Sequence, residues 1–546
     1  MRIAIAQVNP TVGDLAGNRR LVEEAAAKAE SERADVVVLP ELVLTGYPPL
    51  DLVERDGFVR DQLRELDALA PASRRVAILL GAVLPREAVG PAHLENAAVL
   101  LAGGRRVASQ AKTLLPTYDV FDEARHFVPS ARRTPVALAG TSVGLTVCED
   151  AWVDPMGYAA DPTGDLAQAG ASVVFNLSCS PWHVGKAAER RHMIAALATR
   201  HRVPIAFVNQ VGGNDGLVFD GGSFAVDARG RVHGALPLFD TAFGVVELPI
   251  DGGGCLPDEV RDPDATAELE AGLVLGIRDY FRKQGLPPGA VLGLSGGIDS
   301  AVTAHLAARA LGPERVVGVA MPGPFSSSHS VEDALELGRR LGIEVRQVDI
   351  GPIFSSYLSV FRQLFGEKSD YGIAQQNIQA RIRGAILMAI SNAENRLVLA
   401  TGNKSELSVG YCTLYGDMVG GLAVLGDVYK RDVYALARRA NEGSVRIPPR
   451  TIEKPPSAEL APDQLDSDDL PTYDVLDAIL EQAIEGRGGV DGIAPPPGAS
   501  AQVVRDVLGR IDRNEYKRRQ APLVLRTSRK SFGSGRRLPI VQRYGR

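Results

Sequence analysis

Short runs of β-branched and aliphatic residues recur along the first half of the chain: RIAIAQVN, VVVLPE, VAILLGAVL, NAAVLLA, RRVASQAK, SVGLTVCED, ASVVFNLS and PIAFVNQ. Each is closed by a turn or a polar residue, and runs of this length predict buried strands. Alanine-rich, charged stretches with helical spacing separate some of them, at 18–33 and 185–200. That alternation predicts an α/β fold in which helices cover sheets, and a layered sandwich is its natural architecture. The pattern changes at 251–267, where DGGGCLPDEVRDPDATA is dense in Gly, Pro and Asp and reads as a domain edge. Beyond it the spacing predicts a helix over 268–283, the strand AVLGL at 290–294, a Gly-Gly loop, a helix over 299–311 and the strand VVGVAMP. This is a βαβ unit of a doubly wound parallel sheet. The chain thus divides into a domain over 1–252, a linker over 253–267 and a domain over 268–546.

Composition narrows the class. At 546 residues the chain exceeds what one core supports, so at least two domains are expected. Hydrophobic residues at 45% and charged residues at 23% suit a globular protein, and no run approaches the roughly 18 apolar residues of a membrane span. The opening MRIAIAQVNPTVGD has no secretory pattern, which predicts a cytoplasmic protein. Cys148, Cys179, Cys255 and Cys412 lack paired or metal-like spacing. They point to single thiols in a reducing compartment, with neither a disulfide framework nor a zinc site. A net charge of −6 argues against a general nucleic-acid binder. Charge is uneven, however: 511–546 holds eleven Lys/Arg against two Asp/Glu, and 459–469 holds five acids. The basic stretch reads as solvated or subunit-contacting surface ahead of a phosphate site.

Three residues stand where predicted strands end: Glu41 after VVVLP, Lys112 after RRVASQA and Cys148 after SVGLTV. Such ends collect reactive groups in α/β folds. A nucleophilic cysteine needs a base or a positive neighbour, and its acyl adduct needs donors for the developing oxyanion. Glu41 offers the base and Lys112 the cation. Singly, each reads as a surface charge or a buried apolar thiol. Together, PELVLTGYPP, AKTLLPTYDVFDEARHF and VCEDAW resemble, in order, the Glu, Lys and Cys motifs of the nitrilase superfamily, specifically its amidase domains fused to NAD synthetases. The resemblance covers most of 1–250 and implies an αββα sandwich in which the Cys148 thiolate attacks the glutamine carboxamide. It further implies that Glu41 takes the proton and Lys112 steadies the oxyanion. Glu123 resembles the family's second glutamate; its other reading is a helix-capping or salt-bridged acid. Tyr118, Ser180 and Lys186 are the positions the resemblance assigns to L-glutamine's charged ends. Cys179, a second thiol near those positions, reads as an apolar filler because nothing beside it in sequence supplies a base.

In the second half, GLSGGIDS joins a strand to a helix, and its adjacent glycines let backbone N–H groups approach phosphate oxygens at a helix N-terminus. It lacks the GK[ST] ending of a Walker loop. Ser295, Ser300 and the backbone suit pyrophosphate, and Asp299 offers a hard oxygen for Mg²⁺. The hexad resembles the loop of the ATP pyrophosphatases, implying ATP contacts across Gly293, Leu294, Ser295, Gly296, Gly297, Ile298, Asp299 and Ser300. Further on, QQNIQARIRG, LATGNKSELSVGYCT, YGDMVGGLAVLGDVYKRDVY, PPSAEL and NEYKRRQAP resemble the synthetase domain of glutamine-dependent NAD synthetases. By that resemblance Asn377, Glu406 and Lys517 contact deamido-NAD, Thr401 contacts ATP, and Lys430 and Ser457 lie on its phosphate side. Glu406 has a second reading, completing a Mg²⁺ site with Asp299. The Gly-rich run 410–421 reads as a lid over a reactive adenylate or as a plain surface loop.

The leading expectation is an amide-forming ligase that adenylates deamido-NAD with ATP and displaces AMP with glutamine-derived ammonia. The resemblance also implies a homo-oligomer, and the fusion implies that ammonia passes from the first reaction to the second without loss. Another ATP-pyrophosphatase amidotransferase is disfavoured by the nitrilase-like front half. A degenerate nucleotide sensor is disfavoured by the intact Glu41, Lys112, Cys148 and SGGIDS. A sulfur-inserting tRNA enzyme lacks its basic platform and cysteine pair.

Overall fold

The computed structural model describes residues 1–86, 93–248, 258–286, 289–486 and 492–543. Residues 253–257 of the expected linker, with Cys255, fall outside that range. Two compact units emerge, Met1–Pro263 and Asp264–Arg546.

The first unit is built on two six-stranded sheets. One comprises β1 (Arg2–Gln7), β2 (Val36–Val38), β3 (Ala77–Pro85), β4 (Leu94–Ala102), β5 (Arg105–Ala111) and β14 (Ala242–Glu247), in the order β14-β1-β2-β3-β4-β5. The other comprises β6 (Val136–Leu138), β7 (Thr141–Val147), β8 (Val173–Ser178), β9 (Ile205–Asn209), β12 (Phe224–Val226) and β13 (Val232–His233), in the order β13-β12-β9-β8-β7-β6. A hairpin of β10 (Val211–Asn214) and β11 (Leu217–Asp220) sits outside both. Ile3, Ile5, Val36 and Leu79 from one sheet meet Leu145, Val147, Phe175 and Leu177 from the other in one buried cluster. Because successive strand side chains alternate in direction, the opposite faces need cover too. Helix Leu15–Ser31 supplies it on the first sheet through Val22, Ala25 and Ala29. Helix Lys186–His201 does so on the second through Ile194, Leu197 and Ala198. The result is the αββα sandwich. Its first helix starts three residues before the expected 18, where the Asp14 carboxylate caps the Gly17 N–H.

In the second unit, helix Ala265–Gln284 begins ahead of the expected 268 because Asp264 caps the N–H groups of Thr266 and Ala267. The sheet holds β15 (Ala290–Gly293), β16 (Val316–Ala320), β17 (Glu344–Gln347), β18 (Leu397–Ala400), β19 (Leu422–Ala423) and β20 (Leu523–Val524), all parallel, in the order β17-β16-β15-β18-β19-β20. The order reverses between β15 and β18, which opens a crevice at their C-terminal ends. The basic C-terminal stretch spends much of its charge on its own fold. Arg518 donates to the carbonyls of Leu407 and Ser408 and pairs with Glu515; Arg519 and Arg526 likewise donate to carbonyls. No helix among the described residues is long and apolar enough to cross a membrane.

Candidate active site

In the first unit, strand ends bring the three expected groups together. Glu41 follows β2, Lys112 follows β5, and Cys148 follows β7 on a short turn, Cys148–Ala151. Lys112 Nζ donates to Glu41 Oε1 and to Glu123 Oε1, both at 2.8 Å. All three are shut from water, at 1%, 0% and 5% exposure. Burial pulls the Lys112 ammonium down, but Glu123 and Glu41 outweigh it and hold it well above the usual lysine range. Glu123 is pushed up to about 7, by burial first, with Lys112 opposing and Glu41 adding to the rise. Burial also raises the Cys148 thiol, with Glu41 adding and Lys112 opposing, so near neutral pH it keeps its proton. Cys148 has φ of +40°, a conformation rare outside glycine and found where a turn must present a nucleophile.

Local packing explains how these ends converge. Asp150, two residues past Cys148, accepts from the N–H groups of Thr113 and Leu114 at 2.9 and 2.8 Å and from that of Val147 at 3.0 Å. One carboxylate thereby ties the Lys112 strand to the Cys148 turn. Gly81 on β3 lies under Glu41: a Cβ there would sit 2.1 Å from Leu42 N and 2.6 Å from Glu41 Cα. Only glycine lets that backbone pass. Cys179, expected as an apolar filler, donates its backbone N–H to Glu41 Oε2 at 3.0 Å and its thiol to the Glu41 carbonyl at 3.0 Å.

Two residues that sequence reasoning passed over complete this site. Glu149, directly after the cysteine, is buried and accepts from Tyr118 Oη and from Tyr158 Oη, each at 2.9 Å. Burial raises its carboxyl, the two phenols and Lys112 opposing. Lys186 Nζ lies 3.7 Å over the Trp152 ring, and the Ser180 N–H donates to Asn209 Oδ1 at 2.9 Å. The signal for Glu149 was its place in VCED; Tyr158 had none.

In the second unit the β15–β18 crevice encloses a cavity of about 320 Å³. Gly293, Leu294, Ser295, Gly297, Ile298, Asp299, Ser300, Thr401, Glu406, Lys430 and Ser457 all line it. Gly296 instead turns beneath the loop with φ of +75°, where a Cβ would come within 2.4 Å of the Ser330 carbonyl. Lys430 Nζ reaches Asp299 Oδ2 at 2.5 Å and Glu406 Oε1 at 3.4 Å, and Asn403 Nδ2 donates to Asp299 Oδ1 at 2.8 Å. Burial and Asp299 push Glu406 up to about 8 despite Lys430. Asn377 and Lys517 are not among the lining residues. Asn377 accepts from Thr413 Oγ1 at 3.0 Å, while Lys517 Nζ donates to the carbonyls of Gly410 and Cys412 at 2.7 and 2.8 Å. Both therefore brace the 410–421 run, which contributes Tyr411, Cys412, Gly416, Asp417, Met418 and Val419 to the cavity wall. Arg383 and Lys454 also line the cavity and went unnoticed in the sequence, although Lys454 stands only three residues before Ser457.

Comparison with known proteins agrees with this division. Residues 2–252 match the carbon-nitrogen hydrolase family model and residues 270–521 the NAD synthase model. The glutamine-dependent NAD(+) synthetase of Synechocystis is 44% identical over 555 residues, covering 99% of each chain, and that of Thermotoga maritima is 40% identical over 583 residues, covering 100% and 99%. Among solved structures, the glutamine-dependent NAD+ synthetase of Acinetobacter baumannii, in complex with ADP, is 37% identical with a TM-score of 0.77 over 99% of this chain and 98% of that one. Full-length identity at this level, across both halves at once, places the chain in the glutamine-dependent NAD(+) synthetase family.

Proposed function

We propose that this chain makes NAD from deamido-NAD, converting ATP to AMP and pyrophosphate and drawing its ammonia from L-glutamine. The observation that carries the reading is the buried Glu41–Lys112–Glu123 cluster around Cys148 in a chain of this family. Because Cys148 is held as a thiol, it attacks only as a base accepts its proton. Glu41 takes it while Sγ bonds the glutamine carboxamide carbon, and Lys112 faces the oxygen on which charge develops. The C–N bond then breaks, ammonia leaves with the proton from Glu41, and a thioester remains. Water attacks that thioester, giving its proton to a carboxylate, and glutamate leaves as the thiol reforms. Glu123, with its carboxyl near neutrality, suits that second proton. Lys186 and Ser180 suit the α-carboxylate of glutamine. Glu149, between two neutral phenols, suits its α-ammonium.

In the second unit the nicotinate carboxylate of deamido-NAD attacks the α-phosphorus of ATP, pyrophosphate leaves, and ammonia attacks the activated acyl carbon to release AMP. The SGGIDS backbone and Lys430 face the phosphates. Asp299 and Glu406 would hold Mg²⁺, which supplies positive charge against the leaving pyrophosphate. The donor chemistry fits: with Asp466 they make three carboxylates near one ammonium, and burial together with that excess holds Glu406 up at about 8. This favours the metal reading of Glu406, and Asn377 and Lys517 shape the wall against which deamido-NAD would lie.

We further infer a homo-oligomer. Helix Gly351–Phe365 exposes Ile353, Tyr357, Val360 and Leu364, one apolar stripe at helical spacing, which suits a subunit contact. A cytoplasmic location suits Cys148, which must stay reduced; the three described cysteines are free thiols. The test is product analysis with ATP, glutamine and deamido-NAD. NAD, AMP, pyrophosphate and glutamate should appear together, and ADP in place of AMP would overturn the reading. Cys148→Ala should stop glutamine-driven synthesis and spare synthesis from ammonium salts. With excess ¹⁵N-ammonium beside glutamine, NAD should stay mostly unlabelled if ammonia is handed on without exchange.

A further inference from the structure

One more residue touches Glu41, Glu123 and Lys112 together. Asn96 lies on β4, 1% exposed, and its carbonyl accepts the Lys112 N–H at 2.8 Å. Its Nδ2 donates to Glu41 Oε1 at 2.7 Å and only grazes Glu123 Oε2 at 3.5 Å. We propose that Asn96 is a positioning residue that assigns the proton within the glutamate pair, keeping Glu41 the ionised base and leaving Glu123 as the carboxyl that protonates.

The site has to make that choice. Two carboxylates and one ammonium, sealed from water, carry one negative charge too many, and Lys112 does not discriminate because its two contacts are equal at 2.8 Å. The neutral partners differ. Glu41 Oε2 is met by the Cys179 N–H, which can only donate, and Oε1 by Asn96 Nδ2, whose buried Oδ1 has no hydrogen-bond partner and could accept only if the amide turned over and withdrew its donor from Glu41. A protonated Glu41 would point its new O–H at donors. Glu123 is met by the Tyr47 hydroxyl at 2.8 Å, which can reverse and accept. Adding a proton to Glu123 therefore costs one hydroxyl rotation, whereas adding it to Glu41 costs hydrogen bonds in a buried site. The remaining ionisable groups that face the pair, the Cys148 and Cys179 thiols and Glu149 beyond Cys148, do not alter the comparison, since none is a cation. Because the backbone of Asn96 holds Lys112 and its side chain holds Glu41, the residue sets their spacing as well as the charge. The consequence is kinetic: Cys148 gives up its proton only if Glu41 is empty.

This rests on the reading of Cys148 as the glutaminase nucleophile with Glu41 as its base. The experiment is the pH profile of kcat/KM for glutamine hydrolysis by the full chain, for the parent, Asn96→Leu and Asn96→Asp, with Cys148→Ala as control. Losing a hydrogen bond to a charged group should raise the midpoint of the acidic limb by about one to two pH units in Asn96→Leu. One unit below the parent midpoint, activity should fall about tenfold or more, while the high-pH plateau stays within about threefold. Asn96→Asp, the same size but a third acid, should move the limb at least as far. Asn96→Ser, which only removes atoms, carries the same test if the other two fail to show a cooperative thermal melt. An unmoved limb with a lowered plateau or raised KM would mean that Asn96 merely packs, and the inference would fall. Hydrolysis surviving in Cys148→Ala would instead remove the underlying reading, so the two failures are distinguishable.

Discussion

Replacing Glu149 with glutamine tests how the first site tells its substrate from other amides. The carboxylate is 3% exposed, and its hydrogen bonds come from two neutral phenols, Tyr118 at 2.9 and 3.2 Å and Tyr158 at 2.9 Å. A buried charge met only by neutral donors is incompletely compensated, and an incoming α-ammonium completes it. Breaking a buried ion pair costs about 3–5 kcal/mol. Glutamine keeps one oxygen as an acceptor, so the lower end applies, and about 3 kcal/mol is roughly a 10²-fold loss in kcat/KM for L-glutamine. The assay compares hydrolysis of L-glutamine with that of glutaramate, which lacks the ammonium. The parent should favour glutamine by about 10², and Glu149→Gln should erase that preference by slowing glutamine alone. The rate on glutaramate should hold or rise, since Glu149 is one of the charges that keep the Cys148 thiol protonated. An unchanged ratio between the two substrates would refute the assignment. An equal fall on both would move Glu149 to a role in supporting the Cys148 turn.

Lys112→Met should lower glutaminase turnover by about 10²–10³ as the oxyanion loses its cation, and a loss under tenfold would assign Lys112 a minor part. The Glu123 carboxyl, raised to about 7, becomes the acceptor form as pH rises. Thioester breakdown should therefore climb through about pH 7 and lose that limb in Glu123→Gln, as rapid-quench measurement of the acyl-enzyme would report; a limb that persists would clear Glu123. Gly81→Ala drives a methyl into the Glu41 backbone at 2.1–2.6 Å, and should cost about 1–3 kcal/mol in unfolding free energy together with most glutaminase activity; a parent-like denaturant midpoint would contradict it. Asp299→Ala should impair synthesis from both nitrogen sources, and ¹⁸O in the deamido-NAD carboxylate should reach AMP. Label in pyrophosphate would rule out adenylation.

What the sequence made legible is what leaves a mark along the chain. Strand ends are visible as the close of an apolar run, so Glu41, Lys112 and Cys148 could be picked out before any contact was known. The SGGIDS loop was visible because two glycines and two serines directly after a strand have few other uses. Asn96 was not, because a polar residue opening an apolar strand looks the same whether it faces solvent or a buried acid. Its role depends on the β4–β5 pairing, which sets Ala97 opposite Ala111 and so places Asn96 beside Lys112. Gly81 was hidden for a similar reason, since the backbone it makes room for lies forty residues earlier. Cys179 looked like filler by composition, and its thiol is fully buried, but its backbone N–H is a ligand of Glu41, and backbone groups carry no residue signature. Asn377 and Lys517 carry a second task that their sequence context does not show. Their types suit ligand contact, and their side chains also hydrogen-bond to the 410–421 run.

Both units solve the same electrostatic problem with the same parts. In each, one buried lysine is shared by two acids: Lys112 by Glu41 and Glu123, Lys430 by Asp299 and Glu406. In each, one glutamate is left high, Glu123 at about 7 and Glu406 at about 8. A lysine alone cannot neutralise two carboxylates, so in a place that water screens poorly the excess negative charge, together with burial, favours a proton on one glutamate of each pair. What relieves it differs. The first site has a thiol and a reversible hydroxyl nearby, so its excess is met by moving a proton, which is what cleaving an amide requires. The second has Asp466 as a third acid, and its surplus of carboxylate oxygens suits the proposed divalent cation carried in with triphosphate. The distinction predicts opposite responses to Mg²⁺. Glutamine hydrolysis measured without ATP should be indifferent to chelation, whereas adenylation, followed by pyrophosphate release, should depend on the ion. Equal sensitivity of both reactions to chelator would undo this division of labour, since it would place the cation in the first site as well.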